Sequence, residues 1–261
     1  METSFMKKNC IAVDIGNTSL HFGRFEEDRL VQERKLAVGK LENFFSWWKQ
    51  EFQEFLPQWI ALASVNPKIT ENFISKITSL FQRASIFKVG EDHPVPIPMD
   101  VKAPKEVGVD RLVNGWWAQK KYGTPVLVVD FGTAITIDVV SPKGVYLGGI
   151  IAPGLRLSAK GLYEGTALLP EIQVVRKPCI IGKNTIEAME SGIFWGAVGM
   201  VEIWVQKVMA FQQWENCQII ATGGDAALIA SECSSISQID PFLTLEGIYQ
   251  LGKLYFHSNS H

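Results

Sequence analysis

The chain has 261 residues, of which 47% are hydrophobic, and a formal net charge of −2. A chain of this length folds as one large domain or two of ordinary size. The slightly acidic balance excludes a global basic field, so nucleic acid is not an expected partner. The four cysteines lie far apart without a Cys-x-x-Cys pair, which argues against a zinc knuckle or a redox motif.

Cellular location follows from the same bulk features. No apolar run is expected to be long enough to cross a bilayer. Residues 1–10 are polar, and Asp14 interrupts the apolar run that follows, so the start of the chain is a poor secretory signal. Few, scattered cysteines are typical of a reducing compartment. We therefore expect a cytoplasmic protein that does not bind membranes.

The first half of the chain is predicted to alternate strands and helices. Short apolar runs separated by turn residues indicate a meander of strands, and apolar residues at spacings of three and four indicate amphipathic helices. Four prolines within residues 91–104 indicate an irregular connection. In chain order the predicted elements are strands at 10–15 and 20–25, a third strand after residue 29, a helix at 41–56, a strand at 59–65 and a helix at 70–82.

The second half repeats this opening. Asp14-Ile-Gly-Asn-Thr and Asp130-Phe-Gly-Thr-Ala each follow an apolar strand and precede another strand. Such a repeat predicts a duplicated α/β fold with halves at 1–115 and 116–261, and a cleft between two halves is a natural ligand site. The predicted elements are strands at 125–130, 135–140 and 145–152, a helix at 185–213, a strand at 217–221 and a short helix at 226–230.

The predicted helix at 185–213 is apolar on several sides, so we expect it to be buried on several sides. Gly192, Gly196 and Gly199 interrupt it and would allow a second helix to come close. This helix has more hydrophobic faces than one small domain easily covers. It therefore predicts a two-fold homodimer.

The Asp-x-Gly turns are the candidate phosphate-binding sites. The chain contains neither a P-loop nor a Gly-x-Gly-x-x-Gly motif. In Gly16-Asn17-Thr18, however, a glycine lets backbone N–H groups approach a phosphate while short polar side chains donate to it. Asp14 just before it can hold a metal ion. One such turn is most simply an ordinary turn, but two at equivalent places in a repeat favour nucleotide binding.

The second copy offers the same chemistry with Asp130, Gly132 and Thr133. Gly223-Gly224, directly after a predicted strand, offers a flat backbone surface for a nucleobase or a sugar.

Between the halves lies Glu106-Val-Gly-Val-Asp-Arg. Asp110 beside Arg111 is compatible with a plain ion pair. Its position after the proline-rich connection and beside the expected cleft favours a function, namely that of a general base that takes the proton of an attacking hydroxyl in phosphoryl transfer. Arg111 can bind an anionic group of the acceptor with its forked donors.

An ordered set of motifs along nearly the whole chain resembles the type III pantothenate kinases. The matching segments are Asp14-Ile-Gly-Asn-Thr, Glu106-Val-Gly-Val-Asp-Arg, Val129-Asp-Phe-Gly-Thr-Ala, Gly148-Gly-Ile-Ile-Ala-Pro-Gly, Thr166-Ala-Leu-Leu-Pro, Ile181-Gly-Lys-Asn-Thr-Ile-Glu-Ala-Met-Glu-Ser-Gly, Ala221-Thr-Gly-Gly and Asp240-Pro-Phe-Leu-Thr-Leu-Glu-Gly.

The resemblance implies an actin/hexokinase/Hsp70-like duplicated fold of the ribonuclease H-like kind. It implies ATP-dependent phosphorylation of pantothenate to 4'-phosphopantothenate, the first step toward coenzyme A. It also implies Mg²⁺ with the ATP and a monovalent cation, K⁺ or NH₄⁺.

The resemblance also assigns roles to individual residues. It implies that Asp110 accepts the proton, that Asp130 binds the monovalent cation and that Thr185 reaches the substrate from the partner subunit of a dimer. The remaining residues are implied as ligands of two substrates: for ATP Asp14, Ile15, Gly16, Asn17, Thr18, Ser19 and Thr133, and for pantothenate Gly108, Val109, Asp110 and Arg111.

The chain departs from the family at one substrate position. The family often has a tyrosine seven residues before the glycine of Gly-x-Asp-Arg, followed shortly by Asn-Pro. Here these positions are Val101 and Ala103-Pro104, so one hydrogen-bonding group is missing. Two other functions stay open: another small-molecule kinase or phosphatase of the same superfold, or a nucleotide-binding regulator without turnover. The intact Asp14, Asp110 and Asp130 favour catalysis.

Overall fold

A computed structural model describes residues 9–53 and 55–258. These residues form two compact units. The first comprises the chain up to Pro96, Lys105–Trp117 and the chain from Thr244 onward, and the second comprises Ile97–Pro104 and Ala118–Leu243. The C-terminal helix therefore belongs to the first unit.

Ten strands and seven α-helices are found in the described residues. In chain order they are β1 (Cys10–Ile15), β2 (Ser19–Glu26), β3 (Arg29–Ala37), α1 (Phe44–Phe52), β4 (Trp59–Ser64), α2 (Pro67–Leu80), β5 (Ser85–Lys88), α3 (Val109–Tyr122), β6 (Val126–Phe131), β7 (Ala134–Val140), β8 (Tyr146–Pro153), α4 (Leu155–Gly165), α5 (Thr185–Gln212), β9 (Gln218–Thr222), α6 (Ala226–Ile229), β10 (Gln238–Ile239) and α7 (Leu243–Ser258).

Each unit contains a five-stranded sheet, and the two sheets have the same topology. The strand order is β3-β2-β1-β4-β5 in one and β8-β7-β6-β9-β10 in the other. In both sheets the first three strands in sequence pair antiparallel, and the last two are added in parallel. Asp14 is the fifth residue of β1 and Asp130 the fifth residue of β6. The predicted duplication is confirmed, and the two Asp-x-Gly turns occupy equivalent places in it.

The core of the first unit lies between one sheet face and helices α1 and α2. Alternate strand residues point to one face because successive side chains in a strand alternate, and this alternation buries Val13, Leu20 and Phe22 together. Phe22 is central: its ring lies 4.9 Å from that of Trp47 and 5.7 Å from that of Phe73. This packing fixes β1 and β2, the strands that carry the first Asp-x-Gly turn.

The core of the second unit is built around α5. The buried residues of this helix, among them Phe194, Val201 and Val205, pack with β6, β7 and β9. We expected no apolar run long enough to span a bilayer, and this expectation was wrong. Helix α5 has 28 residues and contains an 18-residue window of mean hydropathy 1.2, so its length and composition alone would allow it to cross a membrane. A core helix of a soluble protein can meet the same criteria, and the buried residues of α5 pack against the second sheet.

The β2–β3 turn is attached to α7 by a charged contact. Asp28 lies in this turn with φ of 68°, and its Oδ1 accepts hydrogen bonds from Lys253 Nζ at 2.6 Å and Tyr249 Oη at 2.8 Å. The hydrogen bond from Lys253 is the main reason that the pKa of Asp28 is lowered from its usual value. The contact therefore stabilises the fold above the unfolded-state pKa and is lost as pH falls through the folded-state pKa.

We expect Asp28→Asn to lower the free energy of unfolding at neutral pH by less than about 1 kcal/mol, because the pair is largely exposed. Asparagine tolerates the left-handed backbone, so the variant tests the charge alone. The difference from the parent chain should shrink on acidification to about pH 3. Urea unfolding at both pH values measures it, with Glu71→Gln as an exposed control. A difference independent of pH would contradict the assignment.

Candidate active site

The first Asp-x-Gly turn is a tight hairpin between β1 and β2. The Gly16 N–H donates to the Ser19 carbonyl at 3.0 Å, and Ile15 pairs with Leu20. The Val38 N–H donates to the Thr18 carbonyl at 3.0 Å, which joins the end of β3 to the hairpin. Asn17 is exposed, whereas Gly16, Thr18 and Ser19 are half-buried. The predicted ATP-binding residues thus lie on one hairpin with an accessible tip: Asp14, Ile15, Gly16, Asn17, Thr18 and Ser19.

Asn66 is a neighbour of this hairpin that the sequence did not reveal. Its Nδ2 group donates to Asn17 Oδ1 at 3.2 Å, and its Oδ1 accepts from the Ile69 N–H at 3.2 Å as the N-cap of α2. A capping side chain satisfies an otherwise unpaired helix N–H group. The same side chain therefore starts α2 and orients the tip of the hairpin.

The Gly-x-Asp-Arg motif forms the start of α3. Asp110 lies in the first turn of this helix, and its Oδ1 accepts from the Arg111 N–H at 2.8 Å. A Cβ atom on Gly108 would lie 2.6 Å from the same oxygen, so the carboxylate can fold back only over a glycine. Gly108, Val109, Asp110 and Arg111, the predicted pantothenate ligands, are all half-buried on one turn.

The electrostatic environment of Asp110 favours a proton acceptor. Burial raises the pKa of Asp110 above its ordinary value, because desolvation disfavours the charged form. The Arg111 N–H and the positive charge of Arg111 oppose this effect without cancelling it. A carboxylate with a raised pKa is a better base near neutral pH than an ordinary one.

The second Asp-x-Gly turn holds Asp130 against two glycines. The Gly132 N–H donates to the Ala134 carbonyl at 3.1 Å, and Asp130 pairs with Thr222 across β6 and β9. A Cβ atom on Gly223 would lie 2.4 Å from Asp130 Oδ1 and 2.6 Å from the Phe131 carbonyl carbon. Gly223 also has φ of 95°. The predicted nucleobase surface at Gly223-Gly224 thus begins in direct contact with the predicted cation ligand.

The Phe131 carbonyl lies beside the same glycine as the Asp130 carboxylate, because a Cβ atom on Gly223 would lie 2.6 Å from its oxygen. Thr133 is exposed, and its carbonyl accepts from the Gly154 N–H at 3.0 Å. A Cβ atom on Gly154 would lie 2.3 Å from the Gly132 carbonyl oxygen. A carboxylate with a neighbouring carbonyl suits a large monovalent cation.

Within residues 9–53 and 55–258 no three His, Cys, Asp or Glu side chains cluster as a metal site. A Mg²⁺ ion bound mainly by ATP phosphates and water would need only one or two carboxylates, and Asp14 offers one.

Thr185 is the first residue of α5 and is exposed. Asn184 caps this helix by accepting from the Glu187 N–H at 2.9 Å, while Glu187 Oε2 accepts from the Lys183 N–H at 2.7 Å. Thr185 also lines a groove of about 1030 Å³ between α4 and α5, which is otherwise mainly apolar.

These features define a class of protein before they define a family. Two copies of one five-stranded sheet, each with an Asp-x-Gly hairpin, are the actin/hexokinase/Hsp70-like fold of kinases and ATPases. Two solved structures share it. A Baf family transcriptional activator from Campylobacter jejuni matches with a TM-score of 0.60 and 21% identity, over 95% of this chain and 99% of that one. The activator of the 2-hydroxyisocaproyl-CoA dehydratase from Clostridium difficile, with bound ADPNP, matches with a TM-score of 0.50 and 9% identity, over 97% and 98%.

Sequence comparison identifies the family. The sequence model of the type III pantothenate kinases matches residues 10–207. The type III pantothenate kinase of Citrifermentans bemidjiense is 39% identical over 256 residues, which cover 93% of this chain and 99% of that protein. The chain therefore belongs to the type III pantothenate kinase family, and both the predicted fold and the predicted family are confirmed.

Proposed function

We propose that the chain catalyses the ATP-dependent phosphorylation of pantothenate to 4'-phosphopantothenate, the first step of coenzyme A synthesis. It acts as a phosphotransferase with an alcohol group as acceptor. The observation that carries this proposal is Asp110 in a chain of this family: a half-buried carboxylate with a raised pKa at the start of α3, next to Arg111.

The proposed roles of the residues are those that the family resemblance implies, and their chemistry is compatible with them. The acceptor hydroxyl gives its proton to the Asp110 carboxylate as its oxygen bonds to the γ-phosphorus, and ADP leaves. Arg111 pairs with the carboxylate of pantothenate. The backbone N–H groups and short polar side chains of residues 14–19 hold the ATP phosphates, and Thr133 contacts the nucleotide. Asp130 would hold the monovalent cation and Asp14 would face the Mg²⁺ that travels with ATP, and both ions would supply positive charge to stabilise the transferred group.

A coupled assay for ADP release tests the function directly. ADP should form in the presence of ATP, Mg²⁺, K⁺ and pantothenate, and should stay at background without pantothenate. Equal ADP release with and without pantothenate would indicate an ATPase or a kinase for another acceptor. No release under either condition would favour a regulator. The regulator outcome is included because the structurally similar Campylobacter protein is named as a transcriptional activator.

The active assembly is proposed to be a homodimer in the cytoplasm. Several large apolar side chains of residues 162–186 are exposed in the single chain, including Leu168 at 91%, Ile180 and Ile181. A second copy of the chain that covered them would bury apolar surface, which is the usual driving force of obligate dimers. The α4–α5 groove beside Thr185 adds to this surface.

We expect mixed dimers of two inactive variants to recover activity. If Thr185 serves the site of the partner subunit, a dimer of Asp110→Asn and Thr185→Val chains has one site with both lesions and one with neither. Random exchange should then restore about a quarter of the parental activity. The matched control mixes Asp110→Asn with Arg111→Ala, because both residues would belong to the same site and no intact site can form. No recovery in the first mixture despite proven exchange would show that each site comes from one chain, and recovery in the control mixture would show that the gain does not report shared sites.

A further inference from the structure

A buried amide lies one turn after Asp110 on α3. Asn114 is 1% exposed, and residues four apart on a helix lie on the same face with Cβ atoms about 5–6 Å apart. A buried carboxamide is costly unless its groups form hydrogen bonds. A leucine could fill such a helix position without that requirement, so the amide calls for an explanation.

The side chain of Asn114 is held by the first turn of α7. Thr244 Oγ1 donates to Asn114 Oδ1 at 2.8 Å. One turn further along α3, Trp117 Nε1 donates to Glu246 Oε2 at 3.0 Å. Next to these contacts α7 presents Gly247, where a Cβ atom would lie 2.6 Å from Val113 Cγ1. All of these residues belong to the first unit.

These three contacts restrict how α3 can turn about its own axis. The close approach at Gly247 sets the distance between the helices, and the two hydrogen bonds set their rotation and their register along the axis. Two hydrogen bonds spaced by about one turn cannot both survive a rotation of α3. The direction of side chains in the first turn of α3 is therefore tied to the start of α7.

We propose that Asn114, held by Thr244, is a positioning residue that fixes the direction of the Asp110 carboxylate toward the acceptor hydroxyl. This inference rests on the proposed function of Asp110. Satisfied buried polar pairs rigidify a core and select one arrangement. A general base needs a fixed position relative to its substrate, because a displacement of about 1 Å can lower a rate by up to about 10²-fold.

The test is a pair of substitutions at Thr244. Thr244→Val keeps the shape but removes the hydroxyl that Asn114 accepts from, whereas Thr244→Ser keeps the hydroxyl. We expect Thr244→Val to lower kcat by about 10- to 100-fold with little change in the KM for ATP, and Thr244→Ser to retain most of the activity. Tyr249→Phe is the matched control, since it removes another hydroxyl hydrogen bond from α7, at the β2–β3 turn.

A second measurement does not depend on turnover. Amide hydrogen exchange in residues 109–112 should be faster in Thr244→Val than in Tyr249→Phe, while exchange in α2 stays the same in both. If the two variants lose stability alike and match in kcat and in exchange of residues 109–112, the contact is only structural and the inference is overturned. If the parent chain releases no pantothenate-dependent ADP, the proposed function fails, and the exchange comparison still decides whether Thr244 positions the first turn of α3.

Discussion

Asp110→Asn is expected to lower pantothenate turnover by about 10²–10⁴, the usual scale for loss of a general base. Asparagine keeps the size of the side chain and an oxygen that can accept from the Arg111 N–H. It cannot take a proton from the acceptor hydroxyl. Steady-state rates of ADP release with saturating ATP and pantothenate measure the effect, and near-parental turnover would exclude Asp110 as the base.

The raised pKa of Asp110 gives this prediction two further signatures. Because the base must be unprotonated, kcat/KM in the parent chain should fall as pH drops through that pKa, and the variant should lack this limb of the profile. Burial also makes the carboxylate unfavourable for folding at neutral pH, since its folded-state pKa lies above the unfolded-state value. The variant should therefore be at least as stable as the parent at pH 7. An activity loss accompanied by a large loss of stability would point to misfolding instead.

The meander strands and the duplication could be predicted from local patterns. Strands β1, β2, β6, β7 and β8 were found within a few residues of their predicted bounds, and α5 almost to its ends. The helix predicted at 41–56 is shorter, because Val38–Asn43 forms a 3₁₀ helix and α1 ends at Phe52.

Helices α3, α4 and α7 were not predicted. Their interiors contain Gly115, Gly161, Gly247 and Gly252, each of which lowers helix propensity by about 1 kcal/mol relative to alanine. Tertiary packing overrides this cost at Gly252, where a Cβ atom would lie 2.6 Å from that of Ala61. The glycines that obscure α7 in the sequence are thus the ones that let it pack closely.

The candidate site likewise has one part that could be predicted from the sequence and one part that could not. The two Asp-x-Gly turns and the Gly-x-Asp-Arg motif are local and could be found in the sequence. The contacts that orient them are not local: Asn66 and Asn17 are 49 residues apart, and Thr244 and Asn114 are 130 apart. No spacing pattern connects such residues, so they become visible only when the strands and helices are assembled.

Asp130 is the residue for which the surrounding backbone argues most directly for an ion. Gly223 and Gly132 leave room for its carboxylate where any side chain would crowd it, and the Phe131 carbonyl lies beside Gly223 as well. Transfer of a phosphoryl group to a carboxylate-bearing acceptor brings together two anions, so a fixed cation would stabilise the bound phosphates. A larger monovalent ion suits a carboxylate beside a backbone carbonyl better than Mg²⁺ does, because Mg²⁺ prefers octahedral ligands and water.

We therefore expect activity to rise with KCl and to stay low with NaCl at constant ionic strength, where general screening is matched. Asp130→Ala should abolish this difference and lower turnover by about 10²–10³, the scale for loss of one preorganised electrostatic group. Gly39→Ala is a neutral control, since nothing lies within 4 Å of the added Cβ atom.

Gly223→Ala should weaken the potassium response while Asp130 is still present, because the added Cβ atom displaces the carboxylate from its place between the glycines. Equal rates in the two salts would show that Asp130 only completes its turn, and a full potassium response in Gly223→Ala would show that the ion binds elsewhere.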